Sequence, residues 1–485
     1  MAINEPTNQR VQRPLYVDLD GTLIEGDTLW ESAAALAGRN ILSFAAASLR
    51  LSGGRAAFKA AIAERIELYA DDLKYNDAVL AFIEAEAESR PVVLATAAHE
   101  KIAASVTEKF PFFSDRLSTT ASDNMKGARK LDAVRAHAAQ HGWGAAFDYV
   151  GDSRADAPLF DAADNAYVVA PTAARARELA GGKSPATHFT SVKASARDYI
   201  KAMRVHQWVK NVLIFLPLIL AHKIFDAPAA IAAIVTFIAF SLCASATYIL
   251  NDLVDIRADR RHPTKRERPF ASGRLKIPEG LAFAGFLFAV SFALAASIDI
   301  VIVGGLLIGY IIATLSYSLV FKEKLLVDVI MLALLYGYRI IVGGVATGIP
   351  VSDWLIAFSI FFFLGLAFVK RYSEISTKTP GPDGKISGRG YYTEDREIVG
   401  VLGVSTSLIS LLVFSFYTTS PEVVALYSRP QLLWLVCIGM LYWVSRVWVL
   451  AHRGHMPDDP IVFAIKDRNS LIVGALAAVI VAAAI

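Results

Sequence analysis

Hydrophobic and polar positions divide this chain into two contrasting parts. From about residue 208, long apolar runs alternate with short polar loops. A run of about 17 to 25 apolar residues suffices to cross a bilayer as a helix. Nine such runs are read, at about 208–224, 229–250, 280–297, 300–320, 325–347, 352–370, 398–417, 430–450 and 470–485. A soluble protein would need several consecutive helices apolar on every face, so the pattern predicts an all-α transmembrane bundle. Upstream, short apolar runs end in carboxylates and are separated by alanine-rich stretches with helical spacing. That pattern predicts a multidomain chain: an α/β domain over residues 1–195 and a membrane domain over 196–485.

Composition sharpens the division. The 485 residues are 55% hydrophobic and 19% charged, against about 25% charged in ordinary soluble domains. Lys and Arg number 21 against 25 Asp and Glu before residue 196, and 27 against 20 after it. A disordered chain and a secreted disulfide scaffold are excluded, because the only cysteines, Cys243 and Cys437, lie within apolar runs. The opening MAINEPTNQRVQRP holds no apolar h-region, so the N-terminal part is expected in the cytoplasm. Roughly nineteen basic residues fall in the loops 251–279, 321–324, 371–397 and 451–469 and at Lys370, against Lys223 and Arg429 in the opposite loops. Basic residues stay on the cytoplasmic side, which predicts a multi-pass protein of a bacterial-type inner membrane with these loops inside.

Chemistry is expected in those loops. Asn251-Asp252-Leu-Val-Asp255-Ile-Arg-Ala-Asp259 places three carboxylates at i, i+3 and i+7, one face of a helix. Crowded acids repel unless a hard cation sits between them, and Mg²⁺ binds through one or two carboxylates plus substrate phosphate oxygens. Lys265, Arg266 and Arg268 follow at once and supply charge for such phosphates. Asn251 is placed to hydrogen-bond the same region. Lys210, opening the first run, is a phosphate partner or an interface anchor. Lys322 is a second candidate cation or a positive-inside marker. Asp328 and Arg339 lie inside the fifth run, where an unpaired charge costs at least about 2.5 kcal/mol, so both are expected to face a cavity or each other's partners.

The stretch NDLVDIRADRRHPTKRERPFASG resembles the aspartate-rich motif of the UbiA superfamily of intramembrane prenyltransferases, and the likeness covers about residues 200–485. It implies nine transmembrane helices around a pocket open to lipid. The HPTKR extension, Gln207-Trp208-Val209-Lys210-Asn211, the run from Arg339 through Gly343-Gly344 and Lys370-Arg371-Tyr372-Ser-Glu374 are similar to the decaprenyl-phosphate phosphoribosyltransferase branch. That branch implies phosphoribosyl pyrophosphate as donor, a polyprenyl phosphate as acceptor and Mg²⁺ as cofactor. Asp252, Asp255 and Asp259 would then hold the metal, and Lys370, Arg371 and Glu374 would join the substrate site. Quinone-type relatives carry a second DxxxD-like motif where this chain has KRYSE, with further acids only at Asp383, Glu394 and Asp395. An ionised phosphate acceptor needs no strong base, and no obvious base is found.

Residues 13–20 form an apolar strand ending in Asp18-Leu-Asp20, then Gly21-Thr22. Period two points both acids the same way, toward the crevice where open α/β sheets bind ligands. Later strands end in Thr96 and Asp152, with Asp156 just beyond, and Lys126 lies between them. In that order the elements resemble the haloacid dehalogenase phosphatase superfamily over about residues 13–180, a Rossmann-like fold. The resemblance implies that Asp18 attacks phosphorus, Asp20 acts as acid and then base, Thr96 and Lys126 hold phosphoryl oxygens, and Asp18, Asp20, Asp152 and Asp156 surround Mg²⁺. Residues 30–88 are expected to form a helical cap.

Joined, the two parts imply a bifunctional enzyme that builds a polyprenyl-phosphoryl-ribose 5-phosphate and then removes its 5-phosphate, for cell-envelope pentose transfer. The alternatives are an aromatic prenyltransferase using a prenyl diphosphate with an unrelated phosphatase, and a non-catalytic membrane scaffold. No nucleic-acid partner is expected, and a homo-oligomer is left open.

Overall fold

The computed structural model describes residues 13–485 apart from 54, 67, 120–124, 183, 378–380, 387 and 458. The opening residues and Asp458 therefore lie outside the described residues. Two compact units are present: residues 1–202 with 249–283, and residues 203–248 with 284–485. The acid-rich segment after the second apolar run thus belongs to the compact unit of the N-terminal domain.

That domain is built on six strands: β1 (Leu15–Val17), β2 (Val92–His99), β3 (Asp115–Thr119), β4 (Asp148–Gly151), β5 (Ala166–Ala170) and β6 (Thr187–Thr190). All pair in parallel in the order β3-β2-β1-β4-β5-β6. Strand alternation sends Leu15, Val17, Val92 and Leu94 into one core layer and Tyr16, Val93, Ala95 and Tyr149 into the other. Both faces are apolar because helices cover both.

The expected cap is helical, in the segments Thr28–Arg39, Ile41–Ser48 and Arg55–Ala63, with a small core of its own around Leu36, Phe58 and Ile62. The next helix, Asp77–Ala87, buries Val79 and Ile83 in the sheet's core instead, so the separately packed cap is shorter than residues 30–88.

Among the described residues, seven helices are long and apolar enough to cross a membrane, and an eighth arises if the segments Pro460–Lys466 and Arg468–Ala484, bent by 78°, form one span. The first expected span is a shorter apolar helix, Val205–Leu220, of which Val205–Phe215 is wound as 3₁₀. The chain is a multi-pass membrane protein, and the expected nine spans are approximate. Side chains anchor the 3₁₀ stretch: Trp208 Nε1 donates to Ser245 Oγ at 2.9 Å and Asn211 Nδ2 to Ser241 Oγ at 2.9 Å. Gly343 lets the helix Val327–Thr347 meet the backbone of Ile214, where a Cβ would collide with its carbonyl oxygen.

Candidate active sites

β1 and β4 are neighbours, and Asp18 and Asp152 follow their carboxyl ends, where the strand order reverses. Oxygens of Asp18, Asp152 and Asp156 lie within 4.8 Å of one another. Burial first, then the charges of Asp18 and Asp156, push Asp152 up to about 8. Burial likewise raises Asp18, against the pull of the Lys130 ammonium. Crowded hard oxygens of this kind fit a divalent cation. Gly21 sits at φ 76°, and a side chain there would strike the Asp152 carboxylate.

Asp20 has a different setting. Its carboxylate accepts the Thr28 N–H at 2.7 Å and the Thr28 hydroxyl at 3.2 Å. Burial and then the Asp27 charge raise it to about 7, the range a general acid needs near neutral pH. Asp20 is not part of the close group formed by Asp18, Asp152 and Asp156.

Lys126 requires a revision. It lines the cavity from an exposed position, whereas the ammonium that meets the nucleophile is that of Lys130. Lys130 is buried, with Nζ 2.8 Å from Asp18 and 3.4 Å from Asp156. It also donates to the Tyr149 hydroxyl at 2.7 Å, which donates to Asp156 at 2.8 Å. Thr96 is fully buried, its hydroxyl accepting the Ala98 N–H at 3.0 Å, and the adjacent Ala97 lines the cavity.

The cavity measures about 370 Å³. Asp18, Asp20 and Asp152 form its floor and Trp30 and Lys59 come from the cap. Arg260, Phe270, Leu275 and Lys276 come from the polar segment between the helices Ala227–Val254 and Ile277–Ala296. Arg260 forks onto Glu31 of the cap at 3.0 and 2.7 Å and donates to the Asp72 carbonyl at 2.6 Å. Arg257 and Arg261 both pair with the Asp72 carboxylate.

Within the same segment, Asp252 and Asp259 are buried and share Arg268, at 3.1 and 2.6 Å. The single helical face expected for Asp252, Asp255 and Asp259 is not kept. The long helix ends at Val254, and Asp255 starts a new short helix, Ile256–Arg261. Among the described residues the close metal-competent groups are Asp18–Asp152–Asp156 and Asp115–His137–His141, and the later aspartates form no such group. Asn251 is half-buried, and Lys265 and Arg266 are exposed.

In the membrane unit, Lys210 pairs with Asp459, whose carboxylate also caps the helix Pro460–Lys466 by accepting the Ile461 N–H at 3.0 Å. Lys210 lies 5.9 Å from the Tyr336 ring centre. Lys370 is half-buried and feels the charges of Lys210 and Glu374. Lys322 is half-buried on the 3₁₀ turn Phe321–Glu323.

Three expected substrate residues prove to be core. Arg339 donates from Nε to Asn211 at 2.8 Å and lies over the rings of Phe240, Tyr310 and Tyr336. Arg371 is fully buried and paired with Asp328 and Glu374. Tyr391 donates to Asp328 at 2.7 Å and Arg389 to Glu374 at 3.0 Å. Buried charges persist when paired, and Arg371, Asp328 and Glu374 are ion-paired with one another. Sequence reasoning missed Lys130 and Arg389, and it gives the stretch holding Asp459 no role. Lys130 lies four residues beyond Lys126, whereas Arg389 and Asp459 meet Glu374 and Lys210 only through the fold.

A UbiA prenyltransferase family model matches residues 212–465, and a haloacid dehalogenase-like hydrolase model matches residues 15–161. The chain is 34% identical to the Sinorhizobium fredii protein y4nM over 472 residues, 96% of this chain and 90% of that one. It is 32% identical to the nodulation protein NoeC of Azorhizobium caulinodans over 58% of this chain and 91% of that protein. Over 186 residues, 38% of this chain and 56% of the relative, it is 38% identical to the decaprenyl-phosphate phosphoribosyltransferase of Corynebacterium glutamicum. With its membrane helices matched across more than half the chain and a hydrolase domain ahead of them, this enzyme belongs to the UbiA prenyltransferase family.

Proposed function

We propose that the chain carries out two steps in sequence on one lipid. The membrane domain transfers the 5-phosphoribosyl group of phosphoribosyl pyrophosphate to a polyprenyl phosphate, and the N-terminal domain removes the 5-phosphate. The observation that carries the first step is the 38% identity to a decaprenyl-phosphate phosphoribosyltransferase. The second rests on Asp18, Asp20 and Lys130 gathered at the switch point of the sheet.

In the transfer, the bond from the anomeric carbon to pyrophosphate breaks and a bond to the acceptor phosphate oxygen forms. Positive charge develops on the ribose and negative charge on the leaving group, so cations on the pyrophosphate dominate the stabilisation. As the resemblance implies, Asp252, Asp255 and Asp259 would hold Mg²⁺ there, which requires Arg268 to leave Asp252 and Asp259, since the three form no close metal-competent group as they stand. Arg268 of the same segment would supply fixed positive charge.

In the second step an Asp18 oxygen attacks phosphorus, the ester P–O bond breaks, and Asp20 donates its proton to the departing alkoxide. Asp20, now ionised, takes a proton from water as that water's oxygen attacks the aspartyl-phosphate, releasing phosphate and restoring Asp18. Mg²⁺ held by Asp18, Asp152 and Asp156 would neutralise the phosphoryl oxygens, and Lys130, 2.8 Å from Asp18, would add a fixed positive charge beside them.

In this reading both sites face the cytoplasm, which the excess of basic residues in the loops supports. Radiolabelled phosphoribosyl pyrophosphate supplied with polyprenyl phosphate tests the first step: label passing into the lipid phase supports it. Label that stays in water, while a prenyl diphosphate and an aromatic acid are consumed, would establish the aromatic prenyltransferase instead.

A further inference from the structure

The cavity over Asp18 is not closed by the hydrolase domain alone. Residues 256–278, which join two membrane helices, supply one of its walls. That wall is fastened to the cap by the Arg260–Glu31 fork, and Gly273 packs on Glu25, where an added Cβ would stand 3.0 Å from the Glu25 Cβ. Lys276 lines the cavity from an exposed position and forms no ion pair among the described residues. Its charge reaches Asp152 and Glu25. Removing a terminal phosphate needs Asp18, Asp20 and Lys130, and these are already in place. Lys276, on the wall supplied by residues 256–278, has no assigned work in that chemistry. It suits a second anionic group on the same small molecule.

We propose that Lys276 is a specificity-determining residue of the phosphatase, binding a second phosphate of a substrate whose first phosphate is cleaved at Asp18. The substrate class is therefore a sugar phosphomonoester that also carries a phosphodiester or phosphate, rather than a simple phosphomonoester. The apolar neighbours Phe270 and Leu275 on the same wall suit a substrate with a hydrocarbon-bearing second phosphate. This deepens the functional reading above, which supplies such a molecule as the transferase product.

The test uses the full-length protein in detergent with two soluble probes, ribose 1,5-bisphosphate and ribose 5-phosphate, and compares their kcat/KM for 5-phosphate release. The parent should prefer the bisphosphate, and Lys276→Gln should lower that preference about tenfold, the worth of one charge-assisted hydrogen bond. Lys276→Arg should restore most of it. A parent without the preference, or a preference unchanged in Lys276→Gln, overturns the assignment. If the preference and its loss are found but the lipid product is not dephosphorylated, Lys276 stands and the two-step reading falls.

Discussion

Replacing Lys130 by methionine tests the phosphatase site most sharply, because the substitution keeps length and apolar volume while deleting one charge. Lys130 is 3% exposed, so solvent does not screen it. Its ammonium stands 2.8 Å from Asp18 and 3.4 Å from Asp156. Deleting it leaves two buried carboxylates facing one another, and breaking a buried pair in this way costs about 3–5 kcal/mol of stability. It also removes a preorganised charge beside the transferring phosphoryl group, a loss worth about 10²–10³ in kcat. Turnover of p-nitrophenyl phosphate by the full chain, with a thermal melt of each variant, reads both effects. Lys126→Met, altering an exposed side chain, should lower turnover by less than about tenfold. A larger loss in Lys126→Met than in a fully folded Lys130→Met would refute the reasoning and return the role to Lys126.

Three further outcomes are expected. Millimolar Mg²⁺ should raise the melting temperature of the parent, by the equivalent of about 2.7 kcal/mol at a hundredfold excess over Kd. Asp152→Asn should melt higher than the parent without the metal and lose most of the Mg²⁺ response; equal responses would remove Asp152 from the metal site. Arg371→Leu leaves buried Asp328 without its guanidinium partner and Glu374 with Arg389, so it should cost about 3–5 kcal/mol or abolish folded protein, seen by size-exclusion chromatography and melting in detergent. Arg371→Lys should not rescue it, since one ammonium cannot reproduce a fork between two carboxylates. Asp255→Ala should abolish label transfer into lipid while p-nitrophenyl phosphate hydrolysis persists, and retained transfer would exclude Asp255 from the donor site.

Elements with a local cause were legible in the chain. The strand ending in Asp18 and Asp20 announces itself by period two and the turn at Gly21-Thr22, and the structure sets both acids at the sheet's switch point. Long apolar runs announce membrane helices whatever their partners. The choice between Lys126 and Lys130 was not legible, because only four residues separate them and only packing buries the second. Equally, i, i+3 and i+7 spacing puts three acids on one face only while the helix runs on, and here it restarts at Asp255. The KRYSE stretch is assigned to the substrate site only by its resemblance to the phosphoribosyltransferase branch. Its partners turn out to be Asp328 and Arg389, brought from distant positions by the fold. The first span's 3₁₀ winding depends on Ser241 and Ser245 of another helix, which no local pattern encodes.

The central claim is that both steps act on one lipid in one chain. Asp18→Asn retains the shape of the nucleophile but cannot form the acyl phosphate, so incubating it with labelled phosphoribosyl pyrophosphate and polyprenyl phosphate should accumulate the lipid that still carries its 5-phosphate, while the parent yields the dephosphorylated lipid. Identical dephosphorylated products from the two proteins would contradict the account.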